Sequence, residues 1–155
     1  GNCHLEPMVN RLIARQPADY ISLCLGINVM GRCSLNDRTF RAAVLGTIVT
    51  IRDAHPDTPM AVVSPIYSKP RETEEGKNAV GLNLPMMREW IAEAVDVLRA
   101  RGDEHLHYVD GLEIMGPDQA DHMPDDLHPD AQGYRVLAER YGRRVMPALG
   151  VGGSD

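Results

Sequence analysis

The chain has 155 residues, 43% of them hydrophobic and 25% charged, with a formal net charge of −6. That is one domain's length of ordinary globular composition. The acidic balance excludes nucleic acid and anionic membrane as partners, since both need a basic face. No apolar run approaches the roughly 18–20 residues of a membrane span.

The opening "GNCHLEPMVN" has neither the basic start nor the apolar stretch of a signal peptide. Cys3, Cys24 and Cys33 are an odd set without C-x-x-C spacing. They read as free thiols in a reducing compartment, so the expected location is cytoplasmic, with Cys24 the thiol expected to be buried. "LEPMVNRLIAR" predicts a helix with Leu5, Val9, Leu12 and Ile13 on one face. "ADYISLCLG" (18–26) is a short buried strand ending at glycine. "DRTFRAAVLGTIVTIRDAHPDTP" predicts a deeply packed helix. Its stripe is Phe40, Val44, Ile48 and Ile51, widened by Leu45 and Val49, and Pro56 and Pro59 stop it. "MAVVSP" (60–65) is a second buried strand.

Residues 66–82 are polar, contain Pro70, Gly76 and Gly81, and read as an exposed loop over one end of the sheet. Within them "RETEEGK" is a solvated stretch, with the border of an acyl or sugar pocket as its other reading. "LPMMREWIAEAVDVLRARG" turns Met87, Ile91, Ala94, Val95 and Leu98 inward and ends at Gly102. Met86, Met87 and Trp90 read as helix packing rather than a substrate box. "HLHYVDG" (105–111) is a third strand, and Tyr134, Leu137, Tyr141 and Val145 form the stripe of a final helix. Residues 151–155 read as a disordered tail.

Helices alternating with strands on short links mean an α/β domain, a parallel sheet covered on both faces. Ligands of such sheets bind beyond the carboxyl ends of the strands. Gly26-Ile27-Asn28 follows the first strand, Ser64-Pro65 closes the second, and "MPDDLHPDAQGY" (123–134) comes after the third. All converge on one rim. There Asp125 and His128, on one turn, can meet so that the carboxylate holds one ring nitrogen and leaves the other free. Pro129 fits the first turn of the last helix, and Asp130 complements its positive end. Asn28 offers an amide to developing negative charge, and the backbone N–H of Gly1 could reach the same point. Two other readings of the Asp125–His128 stretch stay open: the polar entry of a helix, and a metal site built from the crowded Asp118, Asp121, His122, Asp125, Asp126 and His128. No H-E-x-x-H or similar spacing supports the metal, and neither metal nor cofactor is expected.

"GN" at 1–2, "LGIN" at 25–28 and "DDLHPDAQGY" at 125–134 resemble, in order and spacing, the SGNH (GDSL-like) hydrolases, which are esterases, lipases and acyltransferases. "RDAHPDTPMAVVSPI" is similar to the subgroup that includes carbohydrate esterases and acyltransferases. The resemblance implies a three-layer α/β/α sandwich, with residues 1–150 the C-terminal majority of one domain. It implies His128 as general base, Asp125 as its orienting partner, and Asn28 and Gly1 as oxyanion donors. The substrate would be a small acyl ester, an acylated sugar being one case. Val29 departs from the family's usual G-x-N-D.

The family's nucleophilic serine stands in a G-D-S block after a first strand, and nothing in this chain matches it. The expectation is therefore that first strands are absent from this chain and that an upstream segment brings the serine and completes the sheet. Such a central strand carries about five buried side chains at about 1.5–3 kcal/mol each, comparable with the total stability of a domain. An uncovered sheet edge would also favour homo-oligomers. A reading of another class stays beside the enzyme: a non-catalytic α/β module that binds carbohydrate or protein.

Overall fold

The computed structural model describes residues 3–152. Strands β1 (Ile21–Cys24), β2 (Met60–Val63) and β3 (Leu106–Val109) form a parallel sheet in the order β1-β2-β3. Helices α1 (Pro7–Ala14), α2 (Ile27–Arg32), α3 (Asp37–Arg52), α4 (Leu84–Arg99), α5 (Gly111–Ile114) and α6 (Ala131–Ala148) surround it. Two 3-10 turns, Lys69–Arg71 and Pro117–His122, complete the regular structure. This is the expected α/β class with a parallel sheet flanked by helices. Among the described residues no helix is long and apolar enough to cross a membrane.

Strand alternation divides the core in two. Met60 and Val62 of β2 join the larger cluster under α3 and α4, while Ala61 and Val63 join the smaller one under α5 and α6. On α3 the predicted stripe of Phe40, Val44, Ile48 and Ile51 is 0% exposed. The helix starts at a capping box in which Asn36 accepts from the backbone of Arg38 and Thr39. On α4, Met87, Ile91, Ala94 and Val95 are buried as the periodicity predicts, and Trp90 packs with them.

Four expectations of burial fail. Leu5 is buried, but Val9 and Leu12 are exposed, as is Met8; α1 instead turns Asn10 inward, where its amide donates to Thr47 Oγ1 on α3 at 2.9 Å. Val49 on α3 and Tyr134 on α6 also face out. Cys24 is exposed rather than buried. The reason for the last is that α6 lies chiefly over β2 and β3 and reaches this face of β1 through the Tyr141 hydroxyl on Ser22, leaving Cys24 exposed. At the C-terminus Val151 packs against the smaller cluster, and residues 153–155 lie outside the described residues.

Candidate active site

The carboxyl ends of the three strands are brought close by glycines. Gly26 ends the turn after β1 at φ 110°, and a Cβ there would lie 2.8 Å from the Pro65 ring. At Gly111 a Cβ would lie 2.3 Å from the Ser64 carbonyl oxygen and 2.4 Å from that of Pro65. The Gly111 N–H donates to Ser64 Oγ at 3.0 Å, and Ser64 Oγ also meets the Tyr108 hydroxyl at 3.0 Å. Only hydrogen side chains permit this approach, and it sets the rim on which the loops rest.

Asn28, just past the end of β1 as the sequence places it, stands in the first turn of the short helix α2. Its Oδ1 accepts the backbone N–H of Cys3 at 2.9 Å. That bond fixes the amide, so its NH₂ is the half left to donate. Gly1 lies outside the described residues.

Asp125 uses its two oxygens for two tasks. Oδ1 accepts the backbone N–H groups of Leu127 and His128, at 3.0 and 2.6 Å, closing an Asx-type turn. Oδ2 meets His128 Nδ1 at 2.7 Å. The His128 N–H and the imidazole together hold the Asp125 carboxyl down at about 2, the backbone bond being the larger cause. The ring is thus fixed at Nδ1 and open at Nε2, and its side chain is 69% exposed. The next residue, Asp126, takes the left-handed conformation at φ 58° to close the turn.

Capping the last helix falls to a different acid. Asp130 is the N-cap of α6, its Oδ1 accepting the Gly133 N–H at 2.7 Å. Pro129 therefore precedes the cap instead of occupying the first turn. The crowd of acids and histidines separates into pairs: Asp118 with Arg140, His122 with Asp130, Asp125 with His128. Among the described residues no group of three or more His, Cys, Asp or Glu side chains is arranged to hold a metal ion.

Asn28 and His128, 100 positions apart in the chain, line one cleft of about 410 Å³ together with Ile66, Arg71 and Leu127. No serine lines it. Ser22 is bonded to Tyr141, Ser34 to His4, Ser64 to Tyr108 and Gly111, and Ser68 to Asp126.

A second tier of residues, missed in the sequence, supports this loop. Ser68 is 1% exposed and donates from Oγ to the Asp126 carbonyl at 2.6 Å. Arg71 Nη1 donates to the same Oγ at 2.6 Å. Glu72, read as part of a solvated stretch, is instead paired with Arg88 at 2.6 Å, their side chains 17% and 7% exposed. It also accepts the Ser68 N–H at 2.9 Å, while Arg88 Nε donates to the Pro65 carbonyl at 3.0 Å. The available signal was Arg88 itself, a charge on the inward stripe of α4 beside Met87 and Ile91.

The model of the GDSL-like Lipase/Acylhydrolase family matches residues 2–136. Among solved structures, SsfX3, a salicylyl-acyltransferase from a tetracycline biosynthetic pathway, superposes with a TM-score of 0.81 at 34% identity. The match covers 96% of this chain and 42% of that one. A Bacteroides ovatus protein described as a GDSL-like lipase gives 0.76 at 23% identity, covering 96% and 41%. A peptidoglycan O-acetylesterase gives 0.60 at 19%, covering 86% and 39%. The last two bear on the fold alone. This chain thus spans well under half the length of each of these proteins. No curated protein matches it.

Proposed function

Starting from the premise that this chain belongs to the GDSL-like lipase/acylhydrolase family, we propose that it is most of a serine ester hydrolase or acyltransferase domain whose nucleophile comes from a segment outside residues 1–155. His128 Nε2 takes the proton of that serine as its oxygen attacks the ester carbonyl. Asp125 holds the ring by Nδ1 and stabilises the imidazolium. The Asn28 amide and the Gly1 N–H receive the oxyanion. His128 then returns the proton to the departing alcohol, leaving an acyl-enzyme that water or a second alcohol resolves.

One observation carries this reading: an imidazole anchored at one nitrogen and free at the other shares a cleft with an amide whose oxygen is already occupied. The external serine is supported by the lack of any serine among the residues lining the cleft. It is supported further by the unpaired outer edge of β1 and by the exposed Met8, Val9 and Leu12 of α1. The similarity to SsfX3 favours acyl transfer as one outcome beside hydrolysis.

A fluorophosphonate probe on the full-length protein tests it. Labelling is expected on a serine outside residues 1–155, and it should vanish in His128→Ala. A folded full-length protein that never labels would favour the binding module instead.

A further inference from the structure

We infer that the ester taken by this cleft carries a carboxylate, selected by Arg71 and Arg32; the inference rests on the proposed esterase or acyltransferase chemistry and names its substrate class. Both arginines line the cleft that holds Asn28 and His128, and among the described residues no aspartate or glutamate lines it. In a chain of net charge −6 this is a local reversal of sign.

Arg71 is aimed rather than loose. Its Nη1 donates to Ser68 Oγ at 2.6 Å and more distantly to the Asp126 carbonyl at 3.5 Å. Both acceptors are neutral, so its charge is oriented but not compensated. Among the described residues its Nε and Nη2 donate to nothing, and no carboxylate oxygen lies within 4.0 Å of it. The half-buried guanidinium therefore presents a free fork to the cleft. Carboxylate oxygens match that fork, and such charge-assisted pairs are about twice as strong as neutral ones. Arg32, in the last turn of α2 and exposed, makes no hydrogen bond or ion pair among the described residues. It adds a second positive charge to the cleft from α2. Neutral wall is supplied by Ile27, Ile66 and Leu127, which suits a short carbon linker between the charge and the scissile carbonyl.

The carboxylate can stand on the acyl or on the alcohol portion, and two arms separate these. In the full-length protein, kcat/KM is compared for 4-nitrophenyl hemiglutarate against 4-nitrophenyl pentanoate, and for 4-carboxyphenyl acetate against 4-carbamoylphenyl acetate. Each rate is divided by the uncatalysed one. A preference of about 10- to 100-fold for the charged ester is expected in one arm, falling as salt is raised. Arg71→Gln should cut that ratio about tenfold through the KM of the charged ester, and Arg71→Lys should retain part of it. Because Arg71 also steadies the Asp126 carbonyl, Arg32→Gln provides the variant free of that contact, and it should lower the same ratio. Turnover of all four esters with ratios near one, or ratios unchanged in both glutamine variants, overturns the inference and leaves the esterase intact. Turnover of none of them by a protein that still labels with the fluorophosphonate probe overturns the inference alone, whereas absence of labelling as well removes the proposed function with it.

Discussion

Ser68 donates its hydroxyl to the Asp126 carbonyl at 2.6 Å, bonding the loop after β2 to the turn that carries Asp125 and His128, 58 positions along the chain. Its Ser68 end is buried, while Asp126 is exposed. Ser68→Ala should cost about 1 kcal/mol of stability. Turnover should suffer more, by about 10- to 100-fold, because a small displacement of a base is amplified in rate. Thermal melting and kcat measured on the same preparation check this. A variant with normal turnover would show that the loop holds His128 without Ser68.

The ion pair beneath it makes a separate prediction. Arg88 and Glu72 are mostly buried and bonded through two guanidinium nitrogens. Removing one partner leaves the other charge buried and unpaired. Arg88→Met should therefore cost about 3–5 kcal/mol, read as a lower urea midpoint at unchanged m-value. Replacing both, as Arg88→Met with Glu72→Leu, should recover most of that loss. If the double variant is no more stable than the single one, the pair's worth lies in its bonds to Ser68 and Pro65.

These two supports also mark the boundary of what the sequence disclosed. Strand and helix order, the inward stripes of α3 and α4, and the Asp125–His128 contact were legible because each depends on periodicity or on local spacing, and the approach of Asn28 to His128 because the carboxyl ends of parallel strands share one rim. The face of α1 was not legible. Its apolar residues point away from the sheet, since the partner they imply is not among these residues while Asn10 has one in Thr47. Glu72 was misread because it sits amid exposed Thr73, Glu74 and Glu75; only the fold brings Arg88 to it. The Ser68–Asp126 bond has no local signature at all, as it joins an unpatterned loop to a turn far along the chain.

Asn28 yields the sharpest kinetic prediction. Its Oδ1 is committed to the Cys3 N–H, so its donating half is pre-oriented and incurs no reorganisation as charge develops on the substrate. Asn28→Ala in the full-length protein should lower kcat by about 10²–10³ with little change in KM. For comparison, His128→Ala should lose about 10³–10⁴ or more. A loss confined to KM would mean that Asn28 binds the ground state and does not serve the oxyanion.

The Asp125 carboxyl gives a prediction independent of catalysis. Two backbone N–H groups and the His128 ring favour its charged form, and its folded value is about 2, against an ordinary value of about 3.9. Because the folded value is the lower one, the carboxylate's contribution to the turn is fully present above about pH 4. It fades as pH falls through about 2. The amides of Leu127 and His128 both point at Oδ1, so their proton shifts report its charge directly. An NMR titration should move both together with a midpoint near 2, and Asp125→Asn should abolish the transition in each. A midpoint at the ordinary aspartate value, or two amides titrating apart, would mean that Oδ1 does not close this turn in solution.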